Sequence, residues 1–392
     1  MKSKPDVAYF GILVSAANDG GLPVRGRAFY RRLSRIGKRH GLTVCVFAPE
    51  WIDWTRRRTL AYVRDDARGG WTRRTVPLPN VVYDRAFFNN DRNRYLRHRA
   101  AVARLRRTPG VALLGLGLTG KLEVYRMLSK DEAIRPWLPP TVRLDGPDTL
   151  RRWLLERGDV VVKPNAGTHG KRVCRLRALE DGTYEASGRD GANRPVARRF
   201  RALEELLRWV RRELVGHRAF LIQPYLTLAA PGGAPFDVRA LVQKDGEGAW
   251  RLTGAAARIG PADGLTSNLH GGGTSREADA WVASLYGEAQ AKDIMSTIAR
   301  AALAVPPALE RRHGPLLELG IDFGVDRDGR VWVLEVNSKP GRTSFTRLKD
   351  NNARFAAVTS PIRYARYVLD RQLGGQINEF DVKQDPFYAK NG

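Results

Sequence analysis

The chain has 392 residues, with 67 lysines and arginines against 41 aspartates and glutamates, a formal charge of +26. That length is too great for one compact core, so two or three domains are expected. The charge excludes indifference to polyanions and makes nucleic acid, anionic membrane, acidic peptides and nucleotides the candidate partners. Much of it is arginine spread along the chain, from Arg56-Arg57-Arg58 to Arg211-Arg212. Genome composition or heat adaptation explains such a spread equally well. Two cysteines, Cys45 and Cys174, make neither a disulfide framework nor a metal signature, so a reducing cytoplasm is the default location. No run is long enough to span a bilayer.

Lys2 and Lys4 ahead of the apolar run Val7 to Val14 imitate a signal peptide, but Pro5 and Asp6 interrupt it. A buried first strand running into Asn18-Asp19-Gly20-Gly21 fits better. Residues 24–39 read as a basic amphipathic helix and Thr43 to Ala48 as a second strand, a βαβ opening. Arg56 to Arg74 is polar, either irregular or a hairpin. Asn80 to Arg85 is a short strand. Strand ends in open α/β sheets face the ligand crevice, so Asp84 and Arg85 are site residues or, more commonly, a structural ion pair. Residues 91–107 form a basic helix and Val111 to Leu114 a buried strand. Thr119 is the expected N-cap of a helix over 120–129. Lys121 then stands in the first turn, where a cation opposes the helix dipole. It is either placed for a ligand or an ordinary exposed lysine.

After Pro139-Pro140, Thr141 to Leu144 is extended and 148–157 helical. A buried strand then ends at Lys163, and the loop Ala166-Gly167-Thr168-His169-Gly170 leads to another strand. Glycines in such loops let backbone N–H groups approach a phosphate while lysine supplies charge. The Walker A spacing is absent, and a plain hairpin turn accounts for the loop as well. Thr183 to Phe200 gives short polar strands, Ala202 to Leu214 a helix, and Ala219 to Leu226 a buried strand that leaves Gln223 beside a proline bend. In the strand Pro235 to Val242, Asp237 and Arg239 share a face, pairing with each other or aimed at a substrate. Trp250 to Ile259 is a strand carrying Arg258. The loop Thr266 to Thr274, with Asn268, His270, Gly271 and Gly272, offers backbone donors for an anion. Helices cover 276–286 and 288–304.

Leu317 to Arg342 reads as a β-hairpin, two alternating runs around Asp326-Arg327-Asp328-Gly329. With a tight turn, Leu317, Leu319, Ile321 and Phe323 share a face with Trp332, Leu334 and Val336. The other face carries Glu318, Gly320, Asp322, Gly324, Glu335 and Asn337, with Asp322 diagonal to Glu335 and both carboxylates able to reach one ion. A one-residue bulge breaks that parity. A sheet that is wet on one side is the ordinary explanation of such a pattern. Here glycines 320 and 324 leave room above the acids, Asn337 adds a neutral oxygen, and Lys339 and Arg342 follow on a Pro-Gly loop. Hard oxygen ligands with open positions suit Mg²⁺ held jointly with phosphates. The tail after 376 is polar and shows little periodicity.

The order of a lysine at 121, strand-borne Lys163 with a glycine loop, Gln223-Pro224-Tyr225, Asp237-x-Arg239 and Asp322…Glu335-x-Asn337 resembles the ATP-grasp superfamily. Asn80-Val-Val-Tyr-Asp-Arg, Gly120-Lys-x-Glu-x-Tyr, Lys163-Pro-Asn-x-Gly, Phe236-Asp-Val-Arg, Asn268-x-His-Gly-Gly-Gly and Glu318-x-Gly-Ile-Asp-x-Gly-Val-Asp are similar to one branch, the YheC/YheD endospore coat-associated proteins, over about residues 5–370. The resemblance implies a mixed α/β and α+β architecture. It has an N-terminal open α/β domain (1–117), a lid subdomain (118–226), a C-terminal antiparallel-sheet subdomain (227–376) and a polar tail (377–392). It implies ATP phosphates on Lys121, Lys163 and the loop Gly167, Thr168, His169 and Gly170. Adenine would lie by Gln223, Tyr225 and Leu226, and Mg²⁺ on Asp322, Glu335 and Asn337. Arg239, Arg258 and Asn337 would face the transferring phosphoryl group, and Asn268, His270, Gly271, Gly272, Lys339 and Arg342 the acceptor. His270 is a titratable candidate or a structural histidine.

The implied reaction activates a carboxylate as an acyl-phosphate and passes it to an amine or thiol, releasing ADP and phosphate. Phosphoryl transfer needs positioning and charge neutralisation, which lysine, arginine and Mg²⁺ supply. The positive charge suggests an acidic acceptor such as a peptide. Rival readings are a kinase on the same scaffold, a non-catalytic spore-coat protein keeping a nucleotide pocket, and a nucleic-acid binder, the last without a recognisable reader module. Membrane partners are not expected, and the implied location is cytoplasmic or spore-associated.

Overall fold

The computed structural model describes residues 8–16, 26–67, 69–88, 91–167, 170–228, 230, 232–262, 267, 273–346 and 350–372. Three sheets organise them. The first contains β1 (Ala8–Leu13), β2 (Leu42–Phe47), β3 (Ile52–Asp53), β4 (Arg58–Asp65), β5 (Gly70–Pro77), β6 (Val81–Asp84) and β7 (Ala112–Leu113). β1 lies between β2 and β6, with both pairs parallel, and β7 extends the parallel part. β4 and β5 settle the polar stretch after residue 56 as an antiparallel hairpin on the sheet's edge. Alternation along β1 sorts its side chains: Phe10 and Ile12 join a core with helix α1 (Arg27–Arg39), and Leu13 joins one with helix α2 (Arg92–Arg106). α1 buries Tyr30, Leu33 and Gly37, three points of one helical stripe.

Helix α3 (Lys121–Leu128) leads to the second sheet, built from β8 (Val142–Arg143), β9 (Asp159–Pro164), β10 (Cys174–Ala178), β11 (Tyr184–Arg189), β12 (Pro195–Phe200) and β13 (Phe220–Pro224) in the order β12-β11-β10-β9-β13-β8. Its pairs are antiparallel. Helices α4 (Pro147–Arg157) and α5 (Leu203–Trp209) cover one face through Trp153 and Leu206, in one core with Phe220 of β13. α5 runs on as a wider turn over Val210–Val215.

The third sheet is also antiparallel, in the order β16-β15-β14-β17-β18. It comprises β14 (Phe236–Lys244), β15 (Trp250–Ile259), β16 (Thr274–Glu277), β17 (Glu318–Val325) and β18 (Val331–Asn337). Helices α6 (Ala278–Tyr286) and α7 (Glu288–His313) cover one face. The structure moves the start of the expected helix at 276 to Ala278, because Thr274–Glu277 pairs with β15. It carries α7 past 304 and through Pro306 and Pro307. Each proline forfeits a backbone hydrogen bond, but Val305, Ala308 and Leu309 stay buried against the sheet, and that packing continues the helix. Helices α8 (Thr343–Thr346) and α9 (Asn351–Gln372) close the described chain. α9 returns to the first sheet, where Ile362, Ala365 and Leu369 join the core of β1 and α1.

The hairpin β17–β18 departs from the expected parity. Asp322 pairs directly with Glu335, and a bulge follows, so that Phe323 pairs with Val333 and Leu334 is the extra residue. Val331 and Val333 enter the core in place of Trp332 and Leu334. Trp332 instead donates its indole N–H to Asp326 at 2.8 Å. The bulge lies on the turn side of Glu335, so Asp322, Glu335 and Asn337 keep one face.

Ile298 on α7 is fully buried against the third sheet. Ile298→Ala should cost about 2–5 kcal/mol, the loss of transfer energy plus a residual cavity. Urea denaturation monitored by circular dichroism measures it, and a loss below about 1 kcal/mol would contradict this packing.

Candidate active site

The second and third sheets face each other across a cleft of about 2250 Å³ that extends to α1 and α2 of the first unit. A single small-molecule pocket usually holds roughly 300–1,000 Å³. The cleft therefore has room for two substrates.

Its roof is set by the end of β9. Lys163, the second-to-last residue of β9, points its ammonium to the carbonyl oxygen of Leu334 at 3.3 Å, and the bulge turns that carbonyl toward it. Two residues on, Asn165 caps α3 from outside. Its side-chain oxygen accepts the Leu122 N–H at 2.8 Å, its carbonyl accepts the Lys121 N–H at 3.0 Å, and its amide donates to Glu123. This replaces Thr119 as the cap; the N-cap position is Gly120 and makes no side-chain cap bond. A Cβ on Gly120 would lie 2.3 Å from the Asn165 amide, so only glycine admits the contact. The clip holds Lys121 beside Lys163. Lys121 donates to the Gly167 carbonyl at 3.1 Å and lies 3.3 Å from Glu335. Gly167 and Gly170 have positive φ and line the cleft, as glycine readily allows. Thr168 and His169 lie outside the described residues.

The floor is a row of charges across the third sheet. On one face Arg258 pairs with Asp237 by two bonds of 2.6 Å, and Arg239 grips both oxygens of Asp322. Arg258 also reaches Asp322 at 3.0 Å. Asp237 and Arg239 thus share a face but pair across strands, not with each other. Burial pushes the Asp322 carboxyl up, and Arg239 and Arg258 outweigh it, holding the group below the usual carboxylate range. Burial raises Asp237, and repulsion from Asp322 adds to that rise against the pull of Arg258. Ser267 donates its hydroxyl to Asp237, which anchors one end of the segment that carries Asn268, His270, Gly271 and Gly272. Those four residues lie outside the described residues. The room expected above glycines 320 and 324 is filled. A Cβ at 320 would strike Pro340 and Arg239, and one at 324 would strike Leu228 and Leu334.

Glu335 and Asn337 line the cleft next to Asp322, and the Glu335 side chain keeps 31% of its exposure. Two carboxylates and an amide on paired strands are a donor set that fits Mg²⁺ shared with phosphates. Glu335 is the carboxylate of the pair that no arginine occupies, whereas Asp322 is already held by two. Burial lowers the Lys163 ammonium to about 8, Lys121 pushes the same way, and Glu335 and Asp322 pull it back up. Gln223 donates to Thr141 at 2.6 Å and lines the cleft with Tyr225 and Leu226. Arg175 stacks on the Tyr225 ring at 3.7 Å while bound to Asp159.

Lys339 and Arg342 border the cleft too, but buried acids hold both. Lys339 lies 2.8 Å from Asp84, and burial lowers its pKa against that pull. Arg342 binds Glu318 at 2.5 Å. Glu318 also takes Arg85 at 3.3 Å and the Tyr83 hydroxyl at 2.5 Å. Asp84 and Arg85 are thus ion-paired, with partners more than two hundred residues away, which no local pattern signals. Asn165 and the Leu334 bulge were missed as well. The small-residue tract after Lys163 was the available hint for Asn165.

Opposed antiparallel sheets with lysines in the roof and an arginine–carboxylate floor define an ATP-grasp fold. The YheC/D-like ATP-grasp family matches residues 110–368, and the chain belongs to that family. It is 28% identical to the endospore coat-associated protein YheC of Bacillus subtilis (strain 168) over 340 residues, 87% of this chain and 92% of that protein. It is 25% identical to YheD of the same organism over 358 residues, 90% of this chain and 76% of that protein. Among solved structures, D-cycloserine synthetase DcsG superposes with a TM-score of 0.52 at 20% identity, covering 90% of this chain and 99% of that one. Among the described residues no helix is long and apolar enough to cross a membrane.

Two outcomes test the charges. Asp322→Asn leaves two buried guanidiniums short of charge and should cost about 3 kcal/mol, whereas Glu335→Gln, partly exposed, should cost under about 1 kcal/mol. Parallel denaturant melts compare them, and equal losses would contradict the assigned burial. A phosphate placed beside Lys163 would favour the charged ammonium, so above pH about 8 its binding would require uptake of a proton there. Nucleotide affinity should then fall by up to about tenfold per pH unit. Calorimetry from pH 7 to 9.5 should show that slope in the wild type and none in Lys163→Met.

Proposed function

We propose that this protein is an ATP-dependent ligase that activates a carboxylate as an acyl-phosphate and joins it to an amine, or a thiol. The observation that supports this reading is the convergence of Lys121, Lys163, Arg239, Arg258, Asp322 and Glu335 on one cleft between two sheets. In this reading Lys121, Lys163 and the loop at Gly167, Thr168, His169 and Gly170 take the ATP phosphates, and Gln223, Tyr225 and Leu226 border the adenine. Glu335 and Asn337, with Asp322, hold Mg²⁺, which neutralises phosphate charge when bound. Arg239 and Arg258 face the transferring group. A carboxylate oxygen attacks the γ-phosphorus, ADP leaves, and the amine displaces phosphate from the acyl carbon. Guanidiniums fixed in advance by Asp237 and Asp322 need little reorganisation as charge moves onto the equatorial oxygens.

Asn268, His270, Gly271 and Gly272 belong to the acceptor side in this proposal. Lys339 and Arg342 shape that wall with charges already matched. Spore association is part of the same proposal and rests on the names of the two curated relatives.

The test is Mg²⁺-dependent calorimetry with a non-hydrolysable ATP analogue, followed by a phosphate-release screen over carboxylates and amines. Glu335→Gln should weaken Mg²⁺–nucleotide binding about tenfold or more through loss of a ligand charge. Unchanged affinity together with unchanged turnover would sink the metal assignment. Nucleotide binding without phosphate release on any pair would favour the non-catalytic reading.

A further inference from the structure

Beyond the nucleotide floor, the cleft continues along α2, and this arm differs from the floor in one respect: three of its arginines are not matched among the described residues. Arg92, Arg99 and Arg106 all line the cleft, and all are exposed. Their spacing of seven puts them on one stripe of the helix, about 10.5 Å apart at 1.5 Å per residue. Among the described residues none of the three has an acidic partner. Arg99 lies over the Tyr95 ring at 5.8 Å. The acids that do line this arm are already used. Asp84 pairs with Lys339 at 2.8 Å, and Asp91 caps α2 by accepting the Arg94 N–H at 2.9 Å.

One further observation points to a ligand. Tyr95 and Phe87 are 42% and 44% exposed and line the same arm, an apolar surface between cations. His98, 6% exposed, lies behind them with its Nε2 3.1 Å from Asp84.

We propose that the α2 arm of the cleft binds an acidic polypeptide in extended form, its side-chain carboxylates pairing with Arg92, Arg99 and Arg106. The inference rests on the ligase reading and names the class of its acceptor or carboxylate substrate. An extended chain in the polyproline II form has three residues per turn and advances about 3.1 Å per residue, so every third side chain lies on one face about 9 Å further on, within side-chain reach of the next arginine of the stripe. The three arginines span about 21 Å, a length that about seven such residues cover. Guanidinium forks match carboxylates bidentately. An acidic peptide is favoured over a nucleic acid because it brings to the cleft the group that the floor activates; a polynucleotide carries charge but no carboxylate.

The experiment measures fluorescence anisotropy of a fluorescein-labelled oligoglutamate of about ten residues with the full chain, at rising salt. The wild type should bind, with affinity falling as salt rises. The triple variant Arg92→Gln, Arg99→Gln, Arg106→Gln should bind about tenfold or more weakly, while the matching triple lysine variant retains most of the binding. Arg99→Gln alone, an exposed helix position, should weaken it about twofold to threefold and serves if the triple variant does not fold. Equal affinity in wild type and variants overturns the inference, as does tighter binding of an oligothymidylate of matched charge. Calorimetry of the ATP analogue on the same proteins separates the two readings. Nucleotide binding with no oligoglutamate binding removes the acceptor assignment and leaves the ligase reading. Oligoglutamate binding with no nucleotide binding keeps the peptide-binding arm and removes the ligase reading.

Discussion

The Glu318 carboxylate, 1% exposed, joins the first sheet to the third, and the position of the cleft follows from it. It accepts from Tyr83 at 2.5 Å and from Gln243 at 2.8 Å, and it pairs with Arg85 and Arg342. A carboxylate so far from water is tolerable only when charge and hydrogen bonds surround it. The four partners come from β6, the residue after it, β14 and the loop after β18. Arg85 also donates to the Pro340 carbonyl at 3.2 Å, tying the same loop again. That loop follows Asn337, the last residue of β18 and two residues beyond Glu335. The acidic edge of β18 is thus fixed from the first unit as well as from its own sheet.

The same rule governs the floor, with a different result. Arg239 and Arg258 cannot stay in a half-dry cleft without carboxylates, and Asp322 and Asp237 provide them. The floor's cations and carboxylates nearly balance. The two arginines are therefore held in place and not free to swing. Lys121 connects roof to floor, since it touches Gly167 above and Glu335 below, and Lys163 does the same through the Leu334 carbonyl. Asn165 fixes where Lys121 starts, so the roof loop and the first turn of α3 act as one unit. The local conflict of a lysine in a helix's first turn, where the dipole disfavours it, is resolved by these two contacts.

The legible part of this protein is the part written in short-range pattern. Period-two alternation marked β17 and β18 and put Asp322, Glu335 and Asn337 on one face. The lysine ending β9 and the small residues after it marked the roof. The illegible part depends on which strand lies beside which. Arg239 pairs with Asp322 and Asp237 with Arg258 because β14 lies between β15 and β17, a register between segments up to eighty residues apart. The Leu334 bulge leaves no mark in composition, since leucine fits either face. Lys339 and Arg342 looked available for an anion because the acids that bind them, Asp84 and Glu318, belong to other strands. The helix expected over 288–304 runs on through Pro306 and Pro307 because the sheet beneath holds Val305, Ala308 and Leu309, which a local pattern does not signal.

The overall charge can now be divided by place. In buried positions each arginine is answered by a carboxylate or carbonyl: Arg85, Arg258 and Arg342 all have partners, and they contribute geometry more than field. On the exposed stripe of α2 the arginines have no answer within the described residues, and their field extends into the cleft. This stripe lies along the wall of the cleft where the third sheet also gathers its paired charges. Exposed cations cost little in water, so folding does not require their neutralisation. What they supply is a long-range attraction, screened beyond about 10 Å at moderate salt, that acts on a partner before contact and at the mouth of the site.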